Sequence, residues 1–116
     1  MRTIRFIALL LGLAICIPAG NVSSGSNTCP TSGAKRISAS SIRSITFTVQ
    51  APAAPVANTG YVCLGSSAVT TTSGVCLGGG DAFTFAPASN SAAYDLTQIW
   101  FVCSVNTDLI TYTYLQ

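Results

Sequence analysis

The sequence predicts an all-β protein, a single small antiparallel β-sandwich or barrel of about seven short strands, preceded by a signal peptide and a flexible arm. Three observations carry this prediction. Short stretches rich in Val, Ile, Phe, Tyr and Thr recur between residues 45 and 115, several of them alternating apolar with polar residues. Gly, Asn, Ser, Asp and Pro interrupt these stretches every several residues, as turns require. Outside the N-terminus, no segment places apolar residues at helical spacing.

Residues 1–20 begin with Arg2 and Arg5, continue through an apolar run at 6–17 and end in Pro18-Ala19-Gly20. These are the n-, h- and c-regions of a secretory signal peptide. The run is shorter than the roughly 20 apolar residues that span a bilayer. Two alternatives are a retained membrane anchor and lipidation at Cys16 within Leu13-Ala14-Ile15-Cys16, where Ile15 is bulky for the position before a modified cysteine. Residues 21–40 are rich in Ser, Gly and Thr and read as a flexible arm. Residues 41–116 read as one domain, the size that a chain of 116 residues supports.

Within the domain, Ile45-Thr46-Phe47-Thr48-Val49 alternates strictly and predicts a half-buried strand with Ile45, Phe47 and Val49 on one face. Pro52 and Pro55 end it, since proline cannot donate to a ladder. Strands are expected at 61–64, 69–72, 75–77 and 82–85, with turns at 58–60, 65–67 and 73–74. The glycine triplet at 78–80 is followed by a strand and has no lysine nearby, so it reads as a hairpin connection rather than a phosphate-cradling loop. A polar loop at 86–94 leads to Leu-Thr-Gln-Ile-Trp-Phe-Val-Cys-Ser-Val at 96–105. That run is β-branched, aromatic and free of Gly and Pro, and predicts a central strand buried on both faces. A last strand is expected at 109–115, with Tyr112 and Tyr114 on one face and Thr111 and Thr113 on the other.

Charged residues make up 7% of the chain, against about 25% in an average soluble protein. Without Arg2 and Arg5 the remaining charges balance: Lys35, Arg36 and Arg43 against Asp81, Asp95 and Asp108. Nucleic-acid binding, which rests on many phosphate contacts by Lys and Arg, is therefore not expected. Low charge also removes self-repulsion and favours association with other subunits or with further copies of the chain.

Of the five cysteines, Cys29, Cys63, Cys76 and Cys103 lie beyond the signal segment. An even number in an exported chain of this size points to two disulfides, for which three pairings exist. The reading favours Cys63–Cys76, on neighbouring strands of one hairpin, and Cys29–Cys103, tying the arm to the central strand. A metal site is not expected, because the four lack paired short spacings and the chain has no His.

Catalysis is not expected either. The chain contains no His and no Glu, so its many hydroxyls lack a ready base. Asp81, Asp95 and Asp108 each fall at a turn, where Asp bonds nearby backbone. No cofactor is implied. Tyr61, Tyr94, Trp100, Tyr112 and Tyr114 are the candidate binding aromatics, with core packing the competing role for Trp100.

One succession of residues is more specific. It runs Asn58-Thr59-Gly60, Tyr61-Val62-Cys63-Leu64-Gly65, Val69-Thr70, Gly74-Val75, Leu77 with Gly80, Phe83-Thr84-Phe85 and Tyr94-Asp95-Leu96-Thr97-Gln98-Ile99-Trp100-Phe101. This order, with the strand at 45–50 and Ala51-Pro52 before it, resembles small β-domain proteins encoded among tailed-bacteriophage structural genes. The resemblance implies a virion-associated or decoration-type domain with no catalytic residues. The N-terminal segment and the cysteines add the expectation of an exported, disulfide-bonded version, secreted or extracytoplasmic, including a place on a virion surface. The partners expected are protein subunits (capsid, surface protein or self), with membrane contact only through an uncleaved N-terminal segment. A secreted carbohydrate- or receptor-binding sandwich is the alternative.

Overall fold

The structure is a computed structural model and describes residues 20–53, 57–86 and 93–116. Residues 1–19 of the expected signal peptide, including Cys16, the expected strand break at Pro55, and residues 87–92 of the loop at 86–94 lie outside the described residues.

Among the described residues ten strands form: β1 (Val22–Thr28), β2 (Lys35–Arg36), β3 (Arg43–Ser44), β4 (Thr46–Gln50), β5 (Val62–Gly65), β6 (Val75–Leu77), β7 (Ala82–Phe85), β8 (Tyr94–Asp95), β9 (Trp100–Cys103) and β10 (Leu109–Leu115). Every pairing is antiparallel. Sheet I has the order β1-β10-β4-β7, sheet II the order β2-β9-β5-β6, and β3 pairs with β8 in a two-stranded ribbon. One core cluster draws Phe47, Val49 and Ile110 from sheet I and Val62, Leu64, Leu77 and Phe101 from sheet II. Two sheets that bury one face each against a shared core make a β-sandwich. The alternation in β4 and β10 explains the facing: Phe47, Val49, Ile110, Tyr112 and Tyr114 pack on the core while the threonines between them point outward.

The expected strands at 75–77, 82–85 and 109–115 form with those bounds, and the one at 61–64 forms one residue later. The total of ten exceeds the expected number because β2, β3 and β8 are two-residue pairings too short to leave a pattern.

Several expectations are corrected. The arm at 21–40 is not free: β1 pairs with β10 along all seven of its residues, and β2 pairs with β9. Val22–Thr28 carries almost no apolar signal, so its strand state comes from the ladder and not from propensity. Two inward positions fit that place. The Asn27 side-chain amide donates to the Ile37 carbonyl at 2.7 Å. Gly25 lies opposite Tyr112, and a Cβ there would meet the phenol oxygen at 2.5 Å. The tyrosine ring covers the glycine across the ladder.

Ile45 does not share the buried face of Phe47 and Val49. A bend separates β3 from β4, leaving Ile45 44% exposed and turning Ser44 into the core. The Ser44 hydroxyl is satisfied there by the carbonyls of Thr46 at 2.5 Å and Leu115 at 2.9 Å.

The run at 96–105 begins as a 3-10 turn, Leu96–Gln98, and becomes strand only at Trp100. The Asp95 carboxylate accepts from the Thr97 amide at 3.0 Å and caps the turn. From Trp100 the run is an inner strand of sheet II, with Phe101 in the main core and Val102 in a second cluster with Cys63 and Val69 on the outer face. Residues 69–72 form no strand: Val69 ends one turn by donating its amide to the Ser66 carbonyl and plugs that second cluster, and Ser73 closes the next by donating to the Thr70 carbonyl.

The glycines at 78–80 do not close a hairpin. They carry the chain from β6 in sheet II to β7 in sheet I. Gly80 adopts φ +94, and a Cβ on Gly79 would lie 2.8 Å from the Asn58 carbonyl oxygen, so the crossing needs residues without side chains.

Candidate docking surface

The outward residues of sheet I come from strands whose inward residues are apolar or aromatic, so alternation alone delivers their hydroxyls to one face. The registers align Ser24, Thr113, Thr48 and Thr84 in a row across all four strands. The Thr48 and Thr84 hydroxyls lie 2.8 Å apart. A second row is Ser26, Thr111, Gln50 and Ala82, and a third is Val22, Leu115 and Thr46. Beside the third row is a shallow hollow of about 230 Å³ lined by Val22, Thr46, Thr48, Thr113 and Leu115 together with Phe47 and Tyr114. Val22 is 71% exposed. Among the described residues, no charged one sits on this face. Lys35 and Arg36 belong to β2 in sheet II, Arg43 and Asp95 to the β3–β8 ribbon, and Asp81 and Asp108 to loops.

The five candidate aromatics do not converge. Tyr112 and Tyr114 stack at 6.3 Å and pack inward on the core. Tyr94 stands edge-on to Phe85 at 5.6 Å, and its hydroxyl donates to the Ala86 carbonyl at 2.8 Å. With Leu64, Val75, Phe83, Phe85 and Ile99 it lines an apolar cleft of about 360 Å³ beside β6 and β7, the last strands of their sheets. Trp100 packs against the outer cluster of sheet II, and the Arg36 guanidinium sits 4.9 Å from its ring centroid. Tyr61 is 60% exposed, and its backbone carbonyl accepts from the Ser104 amide. At about 3.3 Å per residue, that places it roughly 13 Å along the sheet from Trp100.

The cysteines form two bridges, Cys29–Cys103 and Cys63–Cys76. Cys63 and Cys76 face each other across the β5–β6 ladder. The other bridge fastens the end of β1, in sheet I, to β9, in sheet II.

The three aspartates are all engaged as acceptors. Asp81 takes the Gly78 amide at 2.9 Å. Asp95 takes the Ser41 hydroxyl at 2.7 Å and both the amide and hydroxyl of Thr97. The Ser41 bond, followed by those from Thr97, lowers its pKa from the ordinary 3.8 to about 2. Asp108 reaches much further than its own turn. It is 4% exposed and takes the amides of Thr59 at 2.9 Å and Gly60 at 2.8 Å. The neighbouring Asn58 exchanges two hydrogen bonds with the backbone of Leu109. The Asn58-Thr59-Gly60 turn is therefore locked to Asp108 and Leu109, a long-range role that sequence spacing does not reveal. Among the described residues, no group of three or more His, Cys, Asp or Glu gathers as metal ligands would.

The chain matches no protein-family model, no curated protein and no solved structure. What the fold and surface define is a class: a small, doubly disulfide-bonded β-sandwich with one uncharged hydroxyl-bearing face.

Proposed function

We propose that this chain is an exported, non-catalytic structural module that docks by protein–protein contacts on a virion or cell surface, as a phage-type accessory or decoration subunit. The observation that carries the reading is the outer face of sheet I. Charged residues are depleted from the cores of protein interfaces, and among the described residues they are missing from this sheet face while sheet II, the ribbon and the loops keep them. The exposed Val22 beside Leu115 adds an apolar element to that face. Hydroxyls hydrate well enough to keep such a face soluble yet are cheaper to desolvate than charges. The two intramolecular bridges support a route through an oxidising compartment.

The test is fractionation of native virions or cell envelopes beside the chain's intact mass before and after reduction. Expected are loss of about the first 20 residues, four thiols released only by reduction, and sedimentation of the chain with the particles. Thr48→Lys with Thr113→Lys places two charges on the face and is expected to release the chain without unfolding it. A wild-type chain that stays soluble in every fraction overturns the reading.

A further inference from the structure

The two main sheets end in four edges. Three are short: β2 has two residues, both charged, β6 has three and β7 has four. The fourth, β1, has seven residues paired without a break to β10. It holds no Lys, no Pro and no bulge, the usual devices that keep an edge from templating another strand.

The direction of its backbone groups follows from two bonds flanking the ladder. Gln116 donates its amide to the Asn21 carbonyl, and Cys29 donates to the Asp108 carbonyl. Positions 21 and 29 therefore face β10, and with the two-residue alternation so do 23, 25 and 27. The amides and carbonyls of Val22, Ser24, Ser26 and Thr28 point to the open side, where no described strand meets them.

We infer that β1 pairs antiparallel with β1 of a second copy about a two-fold axis at Gly25. That axis sets Ser24 opposite Ser26 of the second copy and Val22 opposite Thr28. Every outward amide and carbonyl then has a partner in the symmetric strand. Gly25 meets its own copy at the axis, a pair whose Cα atoms approach to about 4.5 Å, and it brings no side chain to obstruct it. The strand carries no charge to repel its copy. The product is one continuous eight-stranded sheet, and the uncharged face of sheet I runs unbroken across it. A second copy fits this edge better than a foreign strand because the sequence satisfies its own symmetry. The inference rests on the reading of the chain as an assembling module and names one of its partners.

The experiment is sedimentation velocity across a concentration series of the oxidised chain from its native source, with amide exchange by NMR. Expected is a doubling of mass with concentration, accompanied by slowed exchange at Val22, Ser24, Ser26 and Thr28. The amides of Ser23, Gly25 and Asn27 are protected by β10 throughout. Ser24→Pro removes only an outward amide and is expected to abolish the dimer while leaving those inner amides protected. Ser26→Lys, which sets a charge against the symmetric strand and keeps every backbone group, is expected to weaken it as well. A chain that stays monomeric with fast outward amides, or a dimer indifferent to both variants, overturns the inference. A foreign strand bound at this edge would protect the same four amides without the doubled mass, and that too overturns it. A monomer that still sediments with particles sinks the edge pairing alone. A dimer that never associates with particles sinks the docking reading alone.

Discussion

Asp108 shows how much one side chain holds. Its carboxylate takes the amides of Thr59 and Gly60, and its carbonyl takes the amide of Cys29. One residue thus joins the turn before β5, the turn before β10 and the end of β1. Truncation leaves the amides of Thr59 and Gly60 without their acceptor in a part-buried site. Asp108→Ala is therefore expected to cost about 2–3 kcal/mol, read as a lower urea midpoint at unchanged slope. Asp108→Asn retains one acceptor oxygen and should cost less. A loss no greater than that of an exposed Thr107→Ala control would show the turn to be held by other bonds. Position 108 is recognisable in the sequence as a turn aspartate. Its partners 48 and 49 residues away are not, because they are set by the pairing of distant strands.

Asp95 acts on an element, joining the 3-10 turn at Leu96–Gln98 to the β3–β8 ribbon through Thr97 and Ser41. Those bonds favour the carboxylate, so its pKa falls to about 2 when folded, against an ordinary 3.8. The unfolded chain takes up the proton first. The contribution to stability is complete above the unfolded value and is lost as pH falls through the folded one. Between pH 3.8 and about 2 the wild type should lose stability relative to Asp95→Asn, and above that window their difference should be flat. Parallel stability curves down to pH 2 would show that the carboxylate carries no such linkage. At the same scale, elements with a strong period were legible: β4, β7 and β10 alternate, and they form. β1 was not, because Ser, Gly and Asn on its inward side leave no apolar mark, although the room at Gly25 for Tyr112 is what lets the strand fit.

At the scale of the molecule, among the described strands only β5 and β6 are both consecutive and hydrogen-bonded neighbours. Every other pairing closes a longer loop, which the unfolded chain resists entropically. The disulfides relieve that cost unequally. Cys29–Cys103 spans 74 residues and joins the two sheets, while Cys63–Cys76 spans 13 within one hairpin. In the chain-entropy account the longer loop gives the larger stabilisation, within about 2–5 kcal/mol for either bridge. Cys29→Ser with Cys103→Ser should therefore lower Tm more than Cys63→Ser with Cys76→Ser, in thermal melts of the two double variants. The reverse order would mean that native packing around Cys63 and Val69 outweighs loop closure.

The all-β class was determined by the sequence itself, because period-two alternation and turn residues are local properties that any fold of this chain must respect. Charge neutrality and the lack of a His base were equally plain, since they are matters of composition. Tertiary structure alone decided that the Ser-rich segment is a strand, that the glycine triplet crosses between sheets, and that the threonines of three strands align with Ser24 on one uncharged face. Each of these depends on which distant strand lies alongside. Strand pairing is a contest among non-local contacts, settled by burial of the shared core and not by the residues of any one segment.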